Sequence, residues 1–184
     1  MAAPPNFWIR WRVRAGYPAA LAFLLLARPS RTSLFIGAAV GLVGIAIRAW
    51  AAGYLRKHEV LATQGPYALT RNPLYFGSVI LASGFILAGD SIWAGAIVGI
   101  YLLMFYPAVM RREESELQQH YGEEYAAYAA RVPLFLPRLR FSQSLESAQV
   151  RFSRRLYLQN REYQAAIGFV LGLAVLWAKM RWMK

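Results

Sequence analysis

Two stretches of this chain, Leu34 to Leu55 and Ser91 to Met110, run for 22 and 20 residues with Arg48 as their only charged side chain. As helices they would extend about 33 and 30 Å, enough to cross the hydrocarbon core of a bilayer. Backbone amides and carbonyls find no partner in lipid, so such runs must satisfy them internally, as helices do. Three further apolar runs accompany them. Leu74 to Ala88 is shorter, but Gly89-Asp90 turns it directly into the Ser91 run, so the two form a helical hairpin. Tyr163 to Ala178 can reach further through Met180 and Trp182. Ala15 to Ala27 spans only if Trp11 to Arg14 sit at the interface and snorkel. With 58% hydrophobic residues, the chain reads as an all-α integral membrane protein with about five transmembrane helices in a single domain, 1–184.

The basic residues orient it. With the N-terminus in the cytoplasm, the inside segments carry 15 Lys and Arg and the outside segments 5, the bias expected of a multi-pass protein of an inner, cytoplasmic membrane. Residues 56–73 and 111–163 then share the cytoplasmic side. A net charge of +12 would also suit nucleic acid, but these arginines flank apolar runs, where anionic lipid headgroups are the nearer partner, and no nucleic-acid role is expected. Arg10, Arg12 and Arg14 ahead of an apolar run resemble the start of a signal peptide. Arg28-Pro29-Ser30-Arg31 stands where a small-residue cleavage site belongs, so the run is expected to be retained. Without cysteine, and with two isolated histidines, the chain offers no disulfide, thiol nucleophile or metal cage.

The polar stretch between the last two runs has its own periodicity. Leu117, Tyr121, Tyr125, Tyr128 and Val132 fall at helical spacing, with Gly122 as a break, Glu123-Glu124 suited to a new first turn, and Pro133 and Pro137 as stops. Across 138–162, Phe141, Leu145, Ala148, Phe152 and Leu156 make an apolar stripe backed by Arg151, Arg154, Arg155 and Arg161. That pattern fits either a cationic helix in the membrane interface or a helix packed on its own domain. Residues 163–184 are an additional C-terminal membrane helix. Three Gly-x-x-x-Gly pairs, Gly37/Gly41, Gly95/Gly99 and Gly168/Gly172, invite close helix packing, either within the chain or in a homodimer.

No Gly-x-Gly-x-x-Gly after a strand, Walker sequence, Gly-x-Ser-x-Gly or His-Glu-x-x-His is present. Any cofactor must be held by helices and loops. Two cytoplasmic segments have polar groups for that work: Gly65-Pro66-Tyr67-Ala68-Leu69-Thr70-Arg71-Asn72-Pro73-Leu74-Tyr75-Phe76-Gly77, and Arg111 to Leu117 continuing to Tyr125. The prolines fix an irregular path at the bilayer surface. The hairpin should bring both segments together. Taken alone, Glu113-Glu114 after two arginines also reads as a solvated face, Arg71 as a headgroup anchor, and Tyr67 and Tyr75 as interfacial belt residues. Arg48, inside a span, is either a functional group or a snorkelling one. His58 and His120 read as surface or interfacial, and Asp90 as a turn residue.

In their order, these segments resemble the isoprenylcysteine carboxyl methyltransferase and phospholipid methyltransferase family, with Gly-Pro-Tyr, Arg-His-Pro-x-Tyr-x-Gly, Glu-Glu-x-x-Leu, Phe/Tyr-Gly with a following Tyr, and Arg-Val-Pro. The matches are Gly65 to Tyr67, Arg71 to Gly77, Glu113 to Leu117, Tyr121-Gly122 with Tyr125, and Arg131 to Pro133, within a family-like core of 34–137. Asn72 stands in the place of the histidine. The resemblance implies a helix bundle whose cytoplasmic segments bind S-adenosyl-L-methionine, with an isoprenoid or lipid substrate entering from the bilayer. It implies a cofactor site of Gly65, Pro66, Tyr67, Arg71, Asn72, Pro73, Tyr75, Glu114 and Tyr125, and catalytic roles for Arg71, Glu113 and Tyr75. Glu114 would hold ribose hydroxyls or the amino group, Arg71 the carboxylate, and Tyr67 and Tyr75 the sulfonium or adenine edge. With no histidine in either motif, methylation of a carboxylate is favoured over an amine, which must first lose a proton. Two other readings use the same features: a nicotinamide-dependent membrane reductase of the sterol reductase type, and a non-catalytic helical scaffold or lipid-binding protein.

The charge bias predicts that single cysteines at Thr63 and Gln118 are shielded from an impermeant reagent added outside intact cells, while one at Asp90 is labelled. Labelling at position 63 overturns the orientation.

Overall fold

The computed structural model describes residues 7–56, 59–138 and 151–183, with side chains from Trp11 onward. Its elements are α1 (Phe7–Leu26), α2 (Arg31–Ala52), a 3-10 turn (Gly65–Ala68), α3 (Pro73–Gly89), α4 (Ile92–Ala129), α5 (Arg154–Gln159) and α6 (Tyr163–Trp182). No strand occurs among the described residues. Three helices, α2, α4 and α6, are long and apolar enough to cross a membrane. The 17-residue α3 is apolar but shorter, and α1 begins eight residues before the expected apolar run, with Arg12 and Arg14 in its first half. The expected count of five is thus approximate: three full-length apolar helices, plus α1 and α3 beside them.

Local signals set the boundaries. A reciprocal capping box, Ser33 N to Ser30 Oγ at 3.1 Å and Ser30 N to Ser33 Oγ at 2.9 Å, starts α2 at Arg31, three residues ahead of the apolar run. At its other end the Asn160 side chain donates to the carbonyls of Ala52 and Leu55, at 3.0 and 2.9 Å, satisfying groups the helix leaves free. Pro73 opens α3, where its missing N–H costs nothing. Asp90, left-handed at φ 47°, makes the expected turn into α4. The latter runs for 38 residues, far beyond the bilayer, and Gly122 at φ 52°, ψ −121° interrupts its helical geometry where a break was expected.

The helices alternate direction, so their ends form two layers. At one, Arg28 N donates to Gly89 O at 2.7 Å, Ser30 Oγ to Asp90 at 3.2 Å, and Lys179 Nζ to the last carbonyls of α1, Leu24 and Leu25, at 2.6 and 2.8 Å. Phe23, Ala27, Ala88, Ala94 and Leu176 form a buried cluster there. At the other end lie the start of α3, the ends of α2 and α4, and the start of α6. Of the stripe over 138–162, Phe141, Leu145 and Ala148 lie outside the described residues, as does His58. The described part packs on the domain: Ser153 N donates to Gly53 O at 3.0 Å, and the Phe152 ring sits against Gly53. Arg151, Arg154, Arg155 and Arg161 remain exposed.

Glycine draws α2 and α3 together, and only partly at the expected pairs. A Cβ on Gly84 would lie 2.6 Å from Gly41 N and 2.7 Å from Gly37 O, and one on Gly44 2.7 Å from Gly77 O. Here the two backbones touch. Gly172 accommodates Phe85, whereas Gly99 and Gly168 have no described neighbour within 4 Å, so the spacing at those two pairs is used at one glycine or loosely. Gly84→Val or Gly44→Val is expected to destabilise by about 1–3 kcal/mol or more through overpacking. Gly99→Ala and Gly168→Ala should leave the thermal unfolding midpoint in detergent unchanged or raise it. Equal losses at all four positions would contradict this packing.

Candidate active site

The 3-10 turn and the loop behind it bring the first polar segment to the layer where α2 ends and α3 begins. Gly65, left-handed at φ 59°, rests on the ring of Tyr54, a position where a side chain would be strained and crowded. Pro66 is buried within the turn, and neither residue reaches the cavity described below; they aim Tyr67, which does. Residues 69–72 are strapped to 133–138. Arg71 N donates to Pro133 O at 2.9 Å, Arg138 N to Leu69 O at 2.9 Å, and Thr70 Oγ1 to Phe135 O at 2.9 Å. Asn72 Nδ2 donates to Leu134 O at 3.0 Å. The residue standing in the histidine's place thus ties the loop to its strap. Tyr128 OH completes the tie by donating to Tyr67 O at 2.6 Å, a buried bond.

Against this loop stands the motif-bearing half of α4. Arg71 donates through Nη1 to Glu114 and to Tyr125 OH, the latter at 3.2 Å, and its guanidinium lies 6.0 Å from the centre of the Tyr125 ring. Tyr75 OH donates to Glu113 Oε1 at 2.6 Å, and its ring meets Tyr106 edge-on at 5.2 Å. The expectation that the α3–α4 hairpin joins the two segments is therefore realised in two specific pairs. Arg71 Nε is buried without a hydrogen-bond partner among the described residues. A buried donor left unpaired costs free energy unless a ligand or water meets it.

Between loop and α4 opens a cavity of about 850 Å³, within the range of small-molecule sites. Of the residues expected at a site, Tyr67, Arg71, Asn72, Pro73, Tyr75, Glu113, Glu114 and Tyr125 line it. Burial comes first in holding the Tyr67 phenol well above its usual range, followed by Tyr128, Glu113 and Glu162, while Arg48 pulls the other way. It stays a neutral phenol between carboxylates. Burial lowers the pKa of Arg71, but its bonds to Tyr125 and Glu114 outweigh that and raise it, so it stays cationic.

Part of the lining was not among the expected site residues. Arg48 meets Glu162 with a two-pronged ion pair, Nε to Oε2 and Nη2 to Oε1 both at 3.0 Å, and donates through Nη1 to Ser78 Oγ. Arg12, Tyr106, Glu116, His120 and Tyr128 also line the cavity. A signal for Glu162 existed: it is the only acid after Glu146, directly before an apolar run, while Arg48 is the only charge deep within another. Intramembrane charges seek such partners.

The phospholipid methyltransferase family matches residues 42–124. The cobalt-zinc-cadmium resistance protein CzcN of Cupriavidus metallidurans is 36% identical over 106 residues, covering 54% of this chain and 49% of that protein. The protein-S-isoprenylcysteine O-methyltransferase of Schizosaccharomyces pombe is 28% identical over 133 residues, 72% of this chain and 54% of that enzyme. That of Arabidopsis thaliana, form B, is 30% identical over 81 residues, 44% of this chain and 41% of that enzyme. The chain spans about half the length of the curated relatives it matches. No solved structure matches.

Tyr128→Phe removes the buried bond to the Tyr67 carbonyl and is expected to cost about 1–3 kcal/mol. Thermal unfolding measures it. An unchanged midpoint would show that the loop does not depend on this bond.

Proposed function

We propose, from the match of residues 42–124 to the phospholipid methyltransferase family, that the protein methylates a carboxylate, or less favourably an amine, of a membrane-embedded amphiphile, with S-adenosylmethionine as donor. The observation that carries the reading is the convergence of both motif segments on one cavity of about 850 Å³.

The lining fits that cofactor on three grounds. The Arg71 guanidinium lines the cavity, and its Nε has no partner among the described residues, so it suits the cofactor's carboxylate. Glu113 and Glu114 offer acceptors for ammonium and ribose hydroxyls, Glu114 being 33% exposed and held by Arg71 at one oxygen. Tyr67, Tyr75 and Tyr106 line the cavity with aromatic rings, whose faces favour a sulfonium as they favour any cation. When bound, the cofactor supplies an electrophilic methyl group on positively charged sulfur.

The chain's own residues then have three tasks: alignment, exclusion of water, and handling of any proton. The strapped loop 69–72 and the Tyr75–Glu113 bond fix the lining, and alignment alone accounts for much of the rate in a displacement of this kind. A carboxylate acceptor arrives ionised and needs no base. For an amine, Glu113 is the base at hand, bonded to Tyr75 OH and facing the cavity. With the cavity at the cytoplasmic ends of the spans, an amphiphile enters sideways and gains local concentration by partitioning, at about 0.8 kcal/mol per buried methylene.

S-adenosylhomocysteine is expected to bind the purified protein in calorimetry, and Arg71→Ala or Glu114→Gln to weaken it by about 1.5–3 kcal/mol. Labelled methyl should pass into extracted lipid and be released as methanol by mild alkali. Binding of a reduced nicotinamide cofactor in place of S-adenosylhomocysteine would overturn the proposal, and alkali-stable label would move the methyl from carboxylate to amine.

A further inference from the structure

The cavity lining holds a second ion pair, Arg48 with Glu162, that lies outside the motif segments. Arg48 comes from α2 and Ser78 from α3, one to two turns inside their helices, and Glu162 comes from the joint between α5 and α6, outside the matched stretch 42–124. All three line the same cavity as Arg71 and Glu114. Leu55, Val60, Leu61 and Leu74 add apolar wall. The Arg48 side chain is 21% exposed and that of Glu162 13%.

A guanidinium gripped by two parallel bonds has the geometry of carboxylate recognition. Here the carboxylate in the fork belongs to the protein, with both oxygens 3.0 Å from nitrogen and a closest approach of 2.8 Å. Ser78 and the Leu74 carbonyl hold the remaining prong, so the fork stays oriented whichever carboxylate fills it. Glu162 sits beside Arg161, which is left-handed at φ 55°, a conformation that disfavours a residue with a side chain. On the cofactor side, by contrast, Arg71 has a donor to spare.

We infer that Arg48 is the recognition group for the carboxylate of the methyl acceptor, and that Glu162 occupies its fork as an internal stand-in which that carboxylate displaces. The inference rests on the methyltransferase reading for its biological sense, but the anion site is a property of the cavity alone. It selects a long-chain carboxylate over the corresponding alcohol or amine, because only a carboxylate keeps the Arg48 guanidinium paired once Glu162 has swung out into water beside the exposed Arg161.

The test uses the full-length protein in nanodiscs and three C16 probes, hexadecanoate, hexadecanol and hexadecylamine, with S-adenosylhomocysteine measured separately. Hexadecanoate should bind best, about tenfold or more tighter to Glu162→Gln, which removes the competing charge, and about tenfold or more weaker to Arg48→Gln. Hexadecanol should not distinguish the three proteins. The opposite signs separate recognition from a merely structural clamp, whose loss would weaken hexadecanoate alike in both variants and overturn the inference. Preferred binding of hexadecylamine, lost in Glu162→Gln, would overturn it by giving recognition to the acid. Unchanged S-adenosylhomocysteine affinity in both variants shows that the fold and the cofactor end are intact. If wild type fails to bind S-adenosylhomocysteine while the hexadecanoate pattern holds, the methyltransferase reading fails and the carboxylate site stands.

Discussion

Backbone contact between α2 and α3 is the constraint from which the rest of the structure follows. In a bilayer no hydrophobic gain drives one helix against another, so close approach must come from small residues and the dispersion contacts they permit. Gly37, Gly41 and Gly44 on one helix and Gly77 and Gly84 on the other permit it. The consequence is felt at the ends. With the axes this close, Arg48 reaches Ser78 and the Leu74 carbonyl, and the turn into α3 presents Arg71 and Tyr75 beside the end of α2. Onto this pair α6 packs through Phe169 at Gly41 and Phe85 at Gly172, while α1 touches it through Phe23 at Gly89 and lies mainly along α4.

Irregular backbone near a membrane has to satisfy its own polar groups, and the way it does so builds the cavity. The loop before α3 is short, proline-bounded and unable to form helix throughout. It is closed by bonds to 133–138, a segment some sixty residues away that is itself kept out of helix by Pro133 and Pro137. Thr70 and Asn72, which would read as ordinary loop polars, are the side-chain half of that closure. Because the strap follows α4, the length of α4 beyond the bilayer and its interruption at Gly122 decide where the strap arrives. Loop, strap and helix form one mechanical unit, and Tyr67, Arg71 and Tyr125 are held within it.

Two arginines with different surroundings give the cavity its polarity. Arg71 sits among phenols and one carboxylate with a donor unused, while Arg48 is filled by Glu162. Both lie where a lone charge would be costly, and each has an acid within reach. An acid from the motif serves the first. The second is served from the joint before α6, which connects the C-terminal helix to the cavity and not merely to the bundle.

Much of this was legible in the sequence because membranes impose simple rules. Apolar length specified helices, Gly89-Asp90 specified the hairpin, and Gly122 the break in α4, since each rests on local chemistry that a single chain segment carries. The motif segments likewise named most of the cavity's lining, because their side chains had to share one side of the bilayer. What the sequence did not disclose depends on pairing across distance. Glycines at Gly95/Gly99 and Gly168/Gly172 have the same spacing as Gly37/Gly41, yet only the tertiary arrangement decides which face a neighbour, and Gly44 with Gly77 had no such spacing to mark them. Arg71 and Glu114 read as two separate ligand groups and emerge bonded to each other. Glu162 and Arg48 are 114 residues apart, and Asn72 finds Leu134 O only because the strap folds back. The sequence by itself determined that this chain is a bundle of membrane helices with a polar end. Which charges meet at that end was decided by the tertiary structure, because a charge's partner is set by distance in space and periodicity reports only the face it leaves from.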